Sequence, residues 1–476
     1  AQRPVAPAAP AAAALRRGRQ LYSQGRVQAA AAAFRQALRQ AGDDAPLAAA
    51  AHDSLGVLLA AAGQTANALP EFTRAVALQP REAAYLYHAG NAWHLLGDDS
   101  DAVPLLRRAL AARPAWAEAE FALGQALADE GQSAAALPAL RAACRHQPES
   151  APMADALGQL LEKLGDVDGA VASLRRAVQL APKDWDARNH LGLALLEQGD
   201  ADGSLTAFRA LVAALPDNIR AHNNLGVAYI QKADFDDAIT QYRWVLAHQP
   251  NNAEAHYNLG FCYKQKDQLP QAVTEMRRAL ALEPTLADAD YTLGVIYWQQ
   301  GNFAQAIPRL QRAIALRPDY AAAEYTLGAA LKQAGRTQEA IAALRRALSL
   351  DAGLAGAHYT LAGLLRQSGD RAGAQREMAA GLRIEKEKES HLAAIFKVNV
   401  GAKDLAAGRT EAAIQQFQAA VASDSGFARA HLGLAQALER AGRQREARQE
   451  WQAALRLDPR LKAVHGADLG AQGNQR

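Results

Sequence analysis

Apolar and small residues recur along this chain at helical spacing, inside a block that itself repeats. If one glycine in each block is numbered position 8, leucine falls at position 7 (Leu55, Leu123, Leu191, Leu293). Alanine falls at position 20 (Ala68, Ala102, Ala136, Ala170, Ala238, Ala272, Ala306, Ala340), and a bulky apolar residue at position 24 (Phe34, Phe72, Leu106, Phe208, Tyr242, Leu344). These intervals belong to helices and not to the alternation of a strand. The position 8 glycines stand at 18, 56, 90, 124, 158, 192, 226, 260, 294 and 328, and from Gly56 the step is always 34 residues. Two more columns punctuate each block. Position 15 is usually glycine (Gly25, Gly63, Gly97, Gly131, Gly165, Gly199, Gly301, Gly335), as a left-handed helix end requires. Position 32 is proline at 80, 114, 148, 182, 216, 250, 284 and 318, which stops a second helix. Each block therefore predicts two helices. They approach closely through the small residues at 8 and 20, and the bulky residue at 24 fills the gap between them.

The register continues past the regular run. Leu361–Ala362, Val400–Gly401 and Leu434–Ala435 open three further units, with Gly369, Gly408 and Gly442 at position 15. The chain thus divides into a Pro/Ala-rich lead (1–10), repeats 1–11 (11–382), a charged insertion RIEKEKES (383–390), repeats 12–13 (391–461) and a C-terminal cap and tail (462–476). Four extra residues precede the second repeat and five precede the twelfth. The charged insertion reads either as a longer, solvated helix end or as a flexible joint. Residues 459–466 read as a short closing helix.

The period and its columns resemble the tetratricopeptide repeat family. The resemblance implies an all-α fold, a right-handed superhelical α-solenoid of about thirteen 34-residue helix–turn–helix repeats. HNNLG (222–226) and HYNLG (256–260) are similar to the superhelical repeats of O-linked N-acetylglucosamine transferases, where an asparagine ladder holds substrate peptides. No transferase domain follows in this sequence, so the likeness implies peptide binding without glycosyl transfer.

In such a solenoid the first helix of each repeat lines the concave face through positions 2, 5, 6, 9, 12 and 13. Position 5 reads Tyr257, Tyr291, Tyr325, Tyr359, and position 6 reads Asn224, Asn258, Thr292, Thr326, Thr360. Position 12 reads Lys264, Trp298, Lys332, Arg366, and position 13 is Gln from Gln231 to Gln367. With Asn223, these residues make a candidate groove for an extended peptide, whose main chain the amides and hydroxyls can hydrogen-bond in any register. The competing reading is that Tyr at 5 packs between helices and Asn at 6 is ordinary for the family. Ser54, His88, Ala122 and Ala156 hold position 6 in early repeats, so binding is expected to favour the later half. His52, His222, His256 and His358 share position 4, which reads as a packing column. The outer pairs Arg107–Arg108, Arg175–Arg176, Arg277–Arg278 and Arg345–Arg346 read as a solvated face.

Composition narrows the function classes. The 476 residues carry a net charge of only +3, which argues against nucleic acid and a membrane surface as partners. No apolar run is long enough for a transmembrane helix. Cys144 and Cys262 lie more than three repeats apart, too far for a disulfide, and read as small apolar residues. The repeats leave no room for a catalytic domain, and no phosphate loop, dinucleotide fingerprint or paired-cysteine metal site is present. No enzyme activity, cofactor or metal is therefore expected. The opening AQRPVAPAAP, without methionine, suits a chain cleaved after a secretory signal, hence periplasmic or extracellular; a trimmed cytoplasmic chain is the alternative. The expected function is a non-enzymatic scaffold that binds protein or peptide. The alternative is a self-assembling subunit whose solenoid ends stack into a filament, the apolar AAAAAF (29–34) lying near the exposed first end.

Overall fold

The structure, a computed structural model, describes residues 8–461. Most of the Pro/Ala lead (1–7) and the cap and tail (462–476) lie outside the described residues. The described residues form twenty-five α-helices, one short 3-10 turn at Pro459–Leu461 and no strand. That turn begins where the closing helix was expected, and the rest of 459–466 lies outside the described residues. Each repeat contributes a helix A followed by a helix B, as in repeat 9 with Ala287–Gln299 and Phe303–Leu316. Thirteen repeats would need twenty-six helices. One is saved because helix B of repeat 11 and helix A of repeat 12 are a single helix, Arg371–Ala406. The chain is an all-α helical-repeat solenoid in two compact units, one up to Asp234 and one from Phe235.

The column chemistry acts as the spacing predicts. A Cβ placed on Gly294 would stand 2.6 Å from Leu310 Cγ, and one on Gly192 would stand 2.5 Å from Phe208 Cε1, so in these repeats position 8 has no room for a side chain against position 24. Position 15 is left-handed throughout, with Gly301 at φ 73°. Two repeats reach the same conformation without glycine, Ala233 at φ 60° and Asp267 at φ 57°. A left-handed backbone costs an L-residue about 1–2 kcal/mol, so the turn geometry outweighs local preference there. Helix B often starts on a capping carboxylate; Asp166, Asp200 and Asp370 each accept from the backbone N–H three residues on.

The two insertions are absorbed by helix. The four residues before repeat 2 lengthen its helix A to Ala45–Ala61, capped by Asp44. The five residues before repeat 12 lie within Arg371–Ala406, where Lys386 holds position 32 in place of proline, and the helix runs on for 36 residues. The charged run 383–390 is thus helical along its length. Both cysteines are free; Cys262 is buried, which pushes its thiol up to about 12.

Candidate functional site

The candidate face lies along the A helices, where positions 5, 9 and 12 share one side. In the first unit its polar groups are spent on each other. His88 Nδ1 lies 2.6 Å from Asp53 Oδ1, and His190 Nδ1 lies 3.0 Å from Asp155 Oδ1. Asn224 Nδ2 donates to Asn189 Oδ1 at 2.8 Å. Each pair joins position 6 of one repeat to position 5 of the repeat before it. Gln231 Nε2 likewise donates to the carbonyl of Leu196, 35 residues earlier. Asn223 is half-buried beside Asn224, and its Oδ1 has no hydrogen bond among the described residues.

In the second unit the four tyrosines Tyr257, Tyr291, Tyr325 and Tyr359 are all half-buried. Glycines make room for two of them. A Cβ on Gly356 would stand 2.8 Å from the Tyr325 hydroxyl, and one on Gly381 would stand 2.6 Å from Tyr359 Cε1. Tyr359 donates to Glu385 at 2.7 Å. Tyr291 tilts against Tyr320, ring centroids 4.9 Å apart. Tyr320 in turn donates to Asp288 Oδ1 at 2.8 Å, and Arg317 grips both oxygens of Asp288 at 3.1 and 2.7 Å. Burial, and then the Asp288 carboxylate, push the Tyr257 phenol up, while a hydrogen bond with Thr292 works the other way.

The threonines behave differently from the tyrosines. Thr292 and Thr326 are only 5% and 6% exposed. The hydroxyls of Thr326 and Thr360 donate to the carbonyls of Ala322 and Gly356 at 2.8 Å, one turn back on their own helices. The groups left over are cationic and amide. Asn258 and Lys264 are half-buried, Lys332 and Arg366 are exposed, and none has a hydrogen bond or ion pair among the described residues. Burial pulls the Lys264 ammonium below its ordinary range. Trp298, in the same column, packs into the core with its Nε1 buried and unbonded among the described residues. At repeat 11, Tyr359, Gly363 and Arg366 face Arg371, Gln375 and Met378 across a cleft of about 390 Å³.

The histidine column serves packing. His52, His256, His358 and His431 each place Nδ1 2.6 Å from a carboxylate nineteen residues on, at Glu71, Glu275, Glu377 and Glu450. In repeat 9 the polarity is inverted, with Asp290 at position 4 bound to Arg309 at 2.8 Å. The arginine column is partly engaged as well. Arg209, Arg243 and Arg277 each donate to a tyrosine hydroxyl twenty residues on, at Tyr229, Tyr263 and Tyr297, clasping helix B of one repeat to helix A of the next. The sequence reading missed these pairs and the Asp288–Arg317–Tyr320 cluster. The signal of the pairs is a fixed separation of 19, 20 or 35 residues between complementary side chains; the cluster, at separations of 29 and 32, occurs once and leaves no such pattern. His94, Asp99 and Asp129 come close enough to hold a cation, but His94 Nδ1 already bonds Asp99 at 2.6 Å, which accounts for that grouping.

Comparison with known proteins adds the following. A family model described as "Tetratricopeptide repeat" matches residues 15–77, 54–115, 96–154, 156–219, 291–355 and 404–461. A second, "TPR repeat", matches 228–267 and 262–301, and a third, again "Tetratricopeptide repeat", matches 331–395. No curated protein matches the chain. Similar solved structures include MamA, 33% identical over 35% of this chain and 96% of that one, with a TM-score of 0.33. They also include the Cut9–Hcn1 hetero-tetramer of the APC/C, 16% identical over 88% and 95% of the two chains, TM-score 0.37. YrrB, described as a TPR protein with an unusual peptide-binding site, is 22% identical over 40% and 96%, TM-score 0.36.

Proposed function

This chain belongs to the tetratricopeptide repeat family, a protein-interaction fold matched over more than half its length, and from that premise we propose that it is a non-enzymatic scaffold. In this reading the second unit holds an extended, acidic segment of a partner protein along the A helices of repeats 8–11. One observation carries the reading. Lys264 is half-buried, its ammonium is destabilised by that burial, and no anion among the described residues compensates it. A partly desolvated cation without a counter-ion gains when a partner supplies the opposite charge. Lys332 and Arg366 repeat the position in later units, again unpaired among the described residues. The tyrosines beside them, half-buried and rigid, offer apolar surface with a polar tip, which suits contact with an extended main chain. The Thr326 and Thr360 hydroxyls, turned onto their own helices, and Thr292, hydrogen-bonded to Tyr257, have no part in this version of the groove.

The test is fluorescence anisotropy with labelled 15-residue peptides, one Glu/Gly-rich and one Lys/Gly-rich, at two salt concentrations. The acidic peptide should bind, more weakly as salt rises. Replacing Lys264, Lys332 and Arg366 together by alanine should weaken it about tenfold or more. Equal binding of both peptides, or an unchanged affinity in the triple variant, removes the reading.

A further inference from the structure

Two columns are buried in nearly every repeat, position 24 against position 8 of its own helix A and against the next repeat where one follows, and position 3 against the repeat before it. Position 24 is between 0% and 4% exposed in twelve repeats, from Phe34 to Trp451. Position 3 is at most 4% exposed from Ala119 to Ala357, and at Ala430. The cause is visible in the clusters. Leu310 at position 24 packs on Leu327 and Leu331 of the next helix A, and Ala143 at position 27 packs on Met153 at the next position 3. The junction between repeats 11 and 12 breaks both rules. Met378, at position 24, is 41% exposed, and Phe396, at position 3, is 69% exposed. Leu382 and Leu392 beside them are 58% and 57% exposed. The helix Arg371–Ala406 does not turn at Lys386, so the start of repeat 12 is carried away from the end of repeat 11. Two faces of the kind that cover each other elsewhere stand open on one helix.

Their spacing is self-complementary. At 3.6 residues per turn, Met378, Leu382, Leu392 and Phe396 fall within a sector of about 80°. They are symmetric about Glu387: Met378 and Phe396 lie nine residues to either side, and Leu382 and Leu392 five. The charges follow the same symmetry. Glu385 and Glu389 sit on the seam two residues to either side, and Lys386 and Lys388 flank it at one residue. In an antiparallel pair centred on Glu387, Met378 meets Phe396 of the other copy and Leu382 meets Leu392. By the same pairing Glu385 meets Glu389 of the other copy on the seam, and Lys386 and Lys388, one residue away, lie beside these carboxylates and offset their repulsion. Glu385 is already held by Tyr359.

We propose that Arg371–Ala406 is a dimerisation helix on which a second copy of this chain docks antiparallel, the open end of repeat 11 in each copy covered by the open start of repeat 12 in the other. The contact is two-fold and therefore closed; it makes a dimer and not a fibre.

Cysteine cross-linking tests it. The double variant Met378→Cys/Phe396→Cys, mildly oxidised at low micromolar concentration, should give a covalent dimer on a non-reducing gel. Neither single variant should, because like positions lie about 27 Å apart along the paired helices. The native Cys262 is buried and Cys144 half-buried, and burial pushes both thiols up; the parent chain oxidised in parallel, which should give no covalent dimer, controls for them. A bond formed within one chain would mean that the helix breaks and repeat 12 folds back, which overturns the proposal. No bond at all overturns it too. In a second arm, light scattering should give a dimer for the parent chain and a monomer of unchanged helicity for Leu382→Glu/Phe396→Glu. A monomeric parent at about 100 μM, or a dimer that survives the two glutamates, rejects it.

Discussion

Alanine in place of a glycine inside a helix ordinarily stabilises it by about 1 kcal/mol, because glycine loses more freedom on folding. At Gly294 that gain meets a steric cost. A Cβ there would stand 2.6 Å from Leu310 Cγ and 2.7 Å from its Cδ2. Cγ lies one bond beyond Cβ, so fully buried Leu310 cannot swing clear without leaving its rotamer. Overpacking of this kind costs about 1–3 kcal/mol. Gly294→Ala should therefore range from neutral to about 2 kcal/mol destabilising once the helix gain is subtracted. Gly363 is the control. It sits within the helix Ala355–Gln367, and a Cβ there meets nothing within 4 Å, so its substitution keeps only the gain. The backbone term is common to both, and the difference between them, about 1–3 kcal/mol, isolates the packing term. Gly260→Ala should fall between, since its closest contacts are the Ala272 carbonyl and flexible Met276, all at 3.2 Å. Urea unfolding followed by circular dichroism ranks the three, and hydrogen exchange localises the effect, because repeats can open singly. If Gly294→Ala is as stable as Gly363→Ala, close helix approach is not the reason for the glycine column.

Ala233→Gly should raise the thermal midpoint, by relieving a left-handed alanine worth about 1 kcal/mol; an unchanged midpoint refutes this. Glu275→Ala should cost about 1–3 kcal/mol by stranding buried His256, whereas Arg278→Ala, which removes an exposed partner of the same carboxylate, should cost under about 0.5; equal costs in urea unfolding would contradict it. Desolvation raises the Asp288 carboxyl, but hydrogen bonds from Arg317 and Tyr320 outweigh it and hold the group below its usual range. A depressed carboxyl contributes stability above the unfolded value of about 3.9 and loses it as pH falls through the lower folded value, so Asp288→Asn should flatten the acid limb of urea midpoints below about pH 4; an unaltered slope argues otherwise. Lys386→Pro should break the long helix and convert the dimer to a monomer by size-exclusion and light scattering, with only a small loss of helicity; a dimer of full helicity would show that position 32 does not set the turn.

The repeat was legible because each of its columns answers a steric demand that any helix pair of this size imposes. Gly294 is forced by Leu310, and the left-handed turn by the geometry that ends helix A; Ala233 and Asp267 show that the turn persists even where the residue disfavours it. Thirteen repeats could be counted from this alone. The candidate groove was less legible. Asn, Thr and Tyr columns say which groups are polar and not which are already engaged. Thr326 bonds its own helix, and Asn224 bonds Asn189, choices made by side-chain geometry one turn or one repeat away. Pairing at a separation of 35 could have been read from Asp53–His88 and Asp155–His190, where complementary residues recur together. The unpaired Lys264 could not, since its isolation depends on everything around it.

The junction at Lys386 follows from the same logic carried one step further. Proline at position 32 ends helix B in repeats 2–9, and repeats 10 and 12 turn without it at Ala352 and Ser425, where Asp351 and Asp424 accept from the N–H groups of Gly353 and Gly426. Where lysine replaces it, with Glu and Lys around it, every local preference favours helix, and Arg383 and Glu387 add a pair across one turn at 3.7 Å. Continuity has a cost, because it leaves Met378, Leu382, Leu392 and Phe396 in water. Each is worth about 1.5–3 kcal/mol when fully buried. A single chain can recover that only by breaking the helix, at a cost of about 3 kcal/mol or more in lost hydrogen bonds if proline-like disruption is the measure. Two chains in antiparallel contact recover it without breaking anything, and give up translational freedom instead. That trade depends on concentration where the fold-back does not. The long helix therefore favours self-association once the protein is concentrated enough, and a proline at position 386, which breaks the helix, should shift the balance back to one chain.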